Sequence, residues 1–320
     1  MNLFPVFMCC HQEKLYICTE KREYLMKKDC TNAMKAVVRM MLLVPLMFCQ
    51  MMMVSAAELS NAANENADSA KLVVTGRAAY QWVGEHLDSL VNSYLMKGGN
   101  ILDPDDVREE LKSIGYNGLN VTDYIMASRQ IDSLVLMRLI DRAEAEGNRT
   151  VFFMMGPTAA GKSTALRNNP KLKEMASKAG LVYDGAFISI PSFESRLKMV
   201  QDRGFKASIV YVHNDPETGF TNMINRIIRS NRAMSLYYYV YCYPLFQGRI
   251  AYLQKKHPEV TLYCLDNSHN KGGVRVSIEE AKTWDYSISE QMERRLNEIM
   301  QEFINSGKLT PPQIKALTGK

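Results

Sequence analysis

Residues 150–167 read TVFFMMGPTAAGKSTALR, so a short apolar run changes abruptly into a glycine-containing turn and then into a helical sequence. The turn at 156–163 fits the pattern G-x-x-x-x-G-K-[ST]. Its glycines let successive backbone N–H groups point at phosphate oxygens, and the following helix adds the positive end of its dipole. A chain of this size would show the pattern by accident about one time in a hundred. We therefore expect a phosphate-binding loop between a buried strand and a helix.

Each position of this turn has an expected role in holding a nucleotide. Lys162 can reach the β- and γ-phosphates, and the Ser163 hydroxyl can ligate Mg²⁺. ATP and Mg²⁺ are thus the expected cofactors. The expected ATP-binding residues are Gly156, Pro157, Thr158, Ala159, Ala160, Gly161, Lys162, Ser163 and Thr164.

The rest of the chain predicts an α/β fold with a doubly wound, mostly parallel sheet of the P-loop kinase type and an N-terminal helical region. Short apolar runs indicate strands at 150–155, 180–185, 206–212 and 259–266. Helical stretches separate them at 192–203, with Ser192 as the cap, at 215–230, opened by Asp215-Pro216, and near 244–256. Asp103, followed by Pro104, is expected to cap an earlier helix. Ligands of such sheets bind at the carboxyl ends of the strands.

Composition and periodicity divide the chain into six segments. These are an upstream extension at 1–33, a signal peptide at 34–57, a linker at 58–70, an all-helical region at 71–148, the P-loop core at 149–278 and a helical extension at 279–320. The cysteines Cys9, Cys10, Cys18, Cys30 and Cys49 precede the linker. Cys242 and Cys264 remain, either as a disulfide in an oxidising compartment or as reduced core residues.

The segment 34–57 has a positive start, an apolar run and a small-residue end, which is the form of a secretory signal peptide cleaved near Ala56 or Ala57. Its apolar run is shorter than the roughly 20 residues that a bilayer span needs. Export to the periplasm or the medium is therefore expected, with no membrane span in the mature chain. A cytoplasmic protein and a protein anchored by the uncleaved segment are the alternatives.

The charge balance argues against a nucleic-acid partner. The net charge of +5 is mild, and residues 1–57 hold seven Lys/Arg against four Asp/Glu. The remaining 32 basic and 30 acidic residues nearly cancel, whereas a duplex-binding domain shows a basic stripe or a higher pI.

Charged residues near the predicted strand ends are candidates for catalysis. Asp184 follows the second strand of the core, where a carboxylate can accept a hydroxyl proton or hold Mg²⁺, although Asp-Gly is also a common turn pair. Arg226 and Arg229 share a face near the end of the 215–230 helix, and Arg232 lies just beyond it. Phosphoryl transfer needs positive charge from outside the loop, so at least one of them is expected to face phosphate, the alternative being ordinary helix-dipole partners.

Several stretches together resemble the zeta-toxin family of phosphoryl-transferring kinases. They are NILDPDDVREEL, VFFMMGPTAAGKSTAL, AGLVYDGAFISIPSFESRLKMVQDRGFKASIVYVHNDPETGF and VTLYCLDNSHNKGG, within residues 100–276. The resemblance implies an ATP-dependent kinase acting on a hydroxyl of a small acceptor, such as the UDP-sugar UDP-N-acetylglucosamine, and an antitoxin-like protein partner.

The same resemblance assigns roles to individual residues. It makes Asp184 the candidate base, places Ser192 and Ser195 near the acceptor, and turns Arg232 toward the transferred phosphoryl group. A non-catalytic nucleotide-binding or interaction protein, or a secreted effector, is the alternative, because the residues after Arg232 depart from the family's pattern.

Overall fold

The computed structural model describes residues 73–270 and 272–319. The upstream extension, signal peptide and linker predicted within 1–70 lie outside the described residues, as do the five cysteines of that part. Among the described helices, none is long and apolar enough to cross a membrane.

One mixed, mostly parallel sheet forms the centre of the described chain, so the protein is an α/β protein. Its six strands are β1 Ile101–Leu102, β2 Thr150–Met155, β3 Leu181–Asp184, β4 Lys206–His213, β5 Thr261–Asp266 and β6 Val274–Val276. Their order is β1-β3-β2-β4-β5-β6, and only β6 runs antiparallel to its neighbour. The strand that precedes the glycine-containing turn is therefore central, between β3 and β4.

Helices pack on both faces of this sheet. In the described residues they are α1 Gly76–Met96, α2 Pro104–Arg108, α3 Val121–Ala145, α4 Lys162–Asn168, α5 Pro170–Lys178, α6 Ile190–Asp202, α7 Pro216–Ser230, α8 Leu236–Cys242, α9 Arg249–Lys256, α10 Ile278–Ala281, α11 Glu290–Asn305 and α12 Pro311–Thr318. The chain from Lys71 onward forms one compact unit.

Alternate strand residues enter two separate apolar clusters. Phe153, Tyr183 and Tyr211 belong to the larger cluster, together with residues of α1, α3 and α6. Met154 and Val210 belong to the smaller one, which α4 and α5 cover. Burial on both faces explains why the strands are continuously apolar.

Three local predictions differ from the structure. The region predicted to be all-helical contributes the edge strand β1, which is too short to show alternation. The helix predicted to begin after Ser192 starts at Ile190 and is capped by the Ser189 side chain, because Pro191 suits its first turn. The segment near 244–256 is a 3₁₀ turn, Tyr243–Phe246, followed by α9.

Other local predictions are confirmed. Asp103 caps α2 by accepting a hydrogen bond from the Asp105 N–H at 2.8 Å, and Asp215 caps α7 in the same way. Cys242 and Cys264 are both buried free thiols, so the reduced alternative holds.

Candidate active site

The turn between β2 and α4 can be built only with glycine at its two ends. Gly156 has φ 137°, and a Cβ there would lie 2.1 Å from the Val212 carbonyl oxygen. Gly161 has φ 89°, and a Cβ there would lie 2.3 Å from Asn267 Nδ2. Both the backbone angle and the lack of space exclude a side chain. The loop therefore packs directly on the carboxyl ends of β4 and β5.

We expect Gly156→Ala to destabilise the protein by about 2–4 kcal/mol, since the added methyl group meets backbone rather than a movable side chain. Urea unfolding followed by far-UV circular dichroism measures the loss. Gly84→Ala is the matched control, because Gly84 is within α1 and its nearest neighbour, Gln130 Oε1, would be 3.7 Å away. That change should stabilise by about 0.5–1 kcal/mol. Equal effects of the two substitutions would contradict the packing described for the loop.

Asn267 holds this loop in place. Its Nδ2 donates to the Ala160 carbonyl oxygen at 2.9 Å, while its Oδ1 accepts from the Gly272 N–H at 3.0 Å. The side chain is buried. Sequence reasoning did not single out Asn267, although its place directly after β5 puts it at the ligand-binding edge of the sheet.

Lys162 and Ser163 begin α4 and face the loop and the sheet edge. The Lys162 Nζ lies 3.4 Å from both the Gly156 and the Pro157 carbonyl oxygens. Burial lowers the pKa of this ammonium, and the nearby Asp184 carboxylate opposes the shift. The Ser163 hydroxyl donates to Asp184 Oδ2 at 2.7 Å. The structure thus brings together the three residues that the sequence assigned to phosphate and metal.

Asp103 is a fourth site residue, which the sequence indicated only as a helix cap. Leu102 of β1 pairs with Tyr183 of β3, so Asp103 leaves its strand beside Asp184. The pKa of Asp103 is raised to about 7, first by burial and then by the Asp184 and Asp106 carboxylates. A carboxyl group that ionises near neutral pH is suited to accept a proton.

Two of the three predicted arginines also lie at this place. Arg226 Nη2 donates to Asp105 Oδ2 at 3.0 Å. Arg232 is ion-paired with Asp106, and its Nη1 lies 4.0 Å from Asp103 Oδ2. Both guanidinium groups are thus held at the site by carboxylates of the segment that follows β1.

The structure gives less support to a role at the site for the other three predicted residues, Arg229, Ser192 and Ser195. Arg229 is exposed on α7 and forms no hydrogen bond or ion pair within the described part of the chain. Ser195 is exposed on α6. Ser192 Oγ accepts a hydrogen bond from Arg196 Nη1 at 2.7 Å, so its hydroxyl is part of a structural network. Its predicted contact with an acceptor stays a prediction.

Arg249 fixes the backbone that follows Asp184. Its Nη1 donates to the Phe187 carbonyl oxygen at 2.7 Å and its Nη2 to the Ile188 carbonyl oxygen at 3.0 Å. The side chain is buried, and Phe187 has a left-handed backbone with φ 52°. The connection from β3 to α6 is therefore held in one conformation, with Asp184 at its start.

The oxygen donors at the loop fit a magnesium ion that also binds phosphates. Among the described residues, no group of three or more His, Cys, Asp or Glu side chains could hold a metal by itself. Mg²⁺ is usually bound by one or two protein oxygens together with substrate phosphates and water. The adjacent Ser163 hydroxyl and Asp184 carboxylate are such a pair.

Comparisons with known proteins leave the family open. No protein-family model matches the chain, and no curated protein matches it. A solved structure titled as the native AvrRxo1-ORF1:-ORF2 complex is similar at 12% identity, covering 67% of this chain and 89% of that chain, with a TM-score of 0.39. A likeness at that TM-score carries no argument about this chain, so the site has to be judged from its own geometry.

Proposed function

We propose that the protein is an ATP-dependent kinase that transfers the γ-phosphoryl group to a hydroxyl of a small acceptor. One observation carries the proposal. The glycine-bounded loop, two carboxylates at the ends of β1 and β3, and two arginines from and just after α7 all meet at one edge of the sheet. In-line phosphoryl transfer needs these three elements, namely a phosphate cradle, oxygen ligands or a base, and external positive charge.

In this proposal the backbone N–H groups of the loop and the Lys162 ammonium bind the phosphates of ATP. The Ser163 hydroxyl and the Asp184 carboxylate, 2.7 Å apart, would hold Mg²⁺. When bound, the ion neutralises the charge on the β- and γ-phosphates. Arg226 and Arg232 supply further positive charge next to Lys162 and Asp103.

The proton of the acceptor hydroxyl goes to a carboxylate at the same edge. Asp184 already accepts the Ser163 hydroxyl, which suits it to the metal side. Asp103 directly follows β1, beside Asp184 at the end of β3, and is the better placed proton acceptor. The acceptor oxygen then forms a bond to the γ-phosphorus, the bond to the β,γ-bridging oxygen breaks, and its electron pair leaves with ADP.

The pH dependence of kcat/KM tests the role of Asp103. Its pKa of about 7 reflects burial and the Asp184 and Asp106 carboxylates, opposed by Arg232 and Lys162. A base must be ionised, so kcat/KM should rise about tenfold per pH unit below pH 7 and level off above it. Asp103→Asn should remove this limb and at least about 100-fold of the rate. An unchanged profile in Asp103→Asn would exclude Asp103 as the base.

The raised pKa of Asp103 also makes stability depend on pH, but in the opposite direction to kcat/KM. A folded-state pKa above the ordinary value of 3.8 means that the folded protein keeps the Asp103 proton where the unfolded chain has lost it. The contribution of this group to the free energy of unfolding therefore falls as pH rises from about 4 to 7. Asp103→Asn should flatten that part of the stability profile.

Transfer of label from γ-³²P-ATP to a panel of hydroxyl compounds tests the proposed function. Label in an acceptor, dependent on added Mg²⁺, is the expected result. Tight ATP binding without transfer to any compound would favour the second candidate, a non-catalytic nucleotide-binding protein. The observation that favours this second candidate is that Arg226 and Arg232 are already paired with Asp105 and Asp106.

Location and protein partner are further parts of the proposal. Export through cleavage near residues 56–57, and capture by an antitoxin-like protein, rest on the sequence and on the zeta-toxin resemblance. N-terminal sequencing of the mature protein tests the first. A chain that begins at or before residue 34 would contradict it.

A further inference from the structure

A cleft of about 750 Å³ is lined by the two site arginines. The less exposed Arg226 and Arg232 line it together with the more exposed Lys97 and Lys112. Asp106 and Glu109 also line it. The volume is in the range of small-molecule sites. A small metabolite would therefore fit in it.

The cleft adjoins the phosphate loop through its arginines. Arg226 is close enough to Lys162 to lower the pKa of that ammonium. Arg232 Nη1 is 4.0 Å from Asp103 Oδ2. A molecule in the cleft would therefore reach the proposed base from one side while ATP approached it from the loop.

The lining of this cleft is unusual for a site that holds a nucleotide. In the described part of the chain it consists of four cationic side chains, two carboxylates and the Ser230 hydroxyl, without an aromatic ring. Bases are commonly held by stacking on aromatic side chains or between apolar walls. The excess of positive charge matches a phosphate or carboxylate group, whereas carboxylates and a serine hydroxyl match sugar or polyol hydroxyls.

From this lining we infer that the acceptor is a compact phosphorylated polyol, such as a sugar monophosphate, and not a nucleotide-linked sugar. The inference rests on the proposed kinase function and narrows its substrate class. Lys97 and Lys112 bind the phosphate of the acceptor. Asp106 and Glu109 accept hydrogen bonds from its hydroxyls, Ser230 Oγ can accept from or donate to them, and the reacting hydroxyl points to Asp103.

The two lysine side chains are the most exposed cations of the cleft, so their ammonium groups are accessible to a phosphate. Lys97 is ion-paired with Glu110 and Lys112 with Glu109, and the lysine side chains are 54% and 62% exposed. Glu109 is partly exposed and the Glu110 side chain is largely buried, so a bound phosphate would share the two ammonium groups with these carboxylates. A dianionic phosphate carries more negative charge than a single carboxylate and can accept from both lysines.

Binding measurements on the full chain test the inference without requiring turnover. A panel of hexose and pentose monophosphates, the matching free sugars and UDP-glucose is titrated by calorimetry in the presence of a non-hydrolysable ATP analogue and Mg²⁺. We expect at least one sugar monophosphate to bind at least tenfold more tightly than its free sugar and than UDP-glucose. The double variant Lys97→Ala/Lys112→Ala should weaken that binding at least tenfold and change the affinity for the ATP analogue less than twofold.

Lys178→Ala is the control, because Lys178 is also an exposed lysine that is ion-paired with a glutamate, Glu174 on α5, but lies outside the cleft. It should leave sugar-phosphate binding unchanged. Tighter binding of UDP-glucose, binding of no sugar phosphate, or an unchanged affinity in the double variant would each overturn the inference. Failure of the proposed function has a different signature, namely that the wild-type protein does not bind the ATP analogue.

Discussion

Lys162→Met is expected to abolish phosphoryl transfer, with a loss of at least about 1000-fold in kcat/KM. The Lys162 ammonium is the cation that begins α4, and it lies 3.4 Å from two carbonyl oxygens of the loop, where the terminal phosphates would lie. Methionine keeps the length of the side chain and removes the charge. Transfer of label from γ-³²P-ATP measures the effect.

A matched control separates this effect from a general loss of positive charge. Lys173 is exposed on α5, one helix further along the chain, and Lys173→Met should leave transfer unchanged. Thermal unfolding of both variants shows whether the fold is retained. Wild-type transfer in Lys162→Met would remove the loop from the catalytic site.

Asp132→Ala is expected to give the largest loss of stability among single substitutions at ion pairs. Asp132 Oδ2 accepts from Arg196 Nη2 at 2.8 Å, and its Oδ1 accepts from the Tyr183 hydroxyl at 2.9 Å. The carboxylate is buried, so its removal leaves the guanidinium without its counter-charge and the Tyr183 hydroxyl without its acceptor. Breaking a buried pair in this way costs about 3–5 kcal/mol. Urea unfolding measures it.

An exposed ion pair on α6, the helix that carries Arg196, is the control. Lys198 and Asp202 are 2.7 Å apart on α6, and their side chains are 74% and 61% exposed. Asp202→Ala should cost less than about 1 kcal/mol, because water screens the pair. If Asp132→Ala cost no more than Asp202→Ala, the network would not hold α3 and α6 to β3.

The central part of the fold could be predicted from local sequence patterns. β2, β3, β4 and β5 are short apolar runs with helical stretches between them, and burial on both faces produces that pattern. The loop could be predicted residue by residue because phosphate binding requires two glycines, a lysine and a serine at fixed spacings in the sequence. Asp184 was predicted from topology, since parallel strands end at one edge of the sheet.

The remaining parts of the site depend on contacts that a single sequence does not record. Asp103 has an evident role as a helix cap, and only the pairing of β1 with β3 brings it to Asp184. The partners of Arg226 and Arg232 lie more than a hundred residues earlier in the chain. Arg249 binds carbonyl oxygens, which every residue carries, so no side-chain pattern indicates it. Ser189 was missed because the serine three residues later is an equally good cap by type.

Calorimetric titration of ATP and Mg²⁺ into the full-length protein tests the central claim most directly, because the whole account depends on phosphate binding by the loop at 156–163. We expect saturable binding of one ATP per chain, at least tenfold weaker in Lys162→Met and unchanged in Lys173→Met. Absence of ATP binding by the wild-type protein, or equal binding by the Lys162→Met variant, would contradict it.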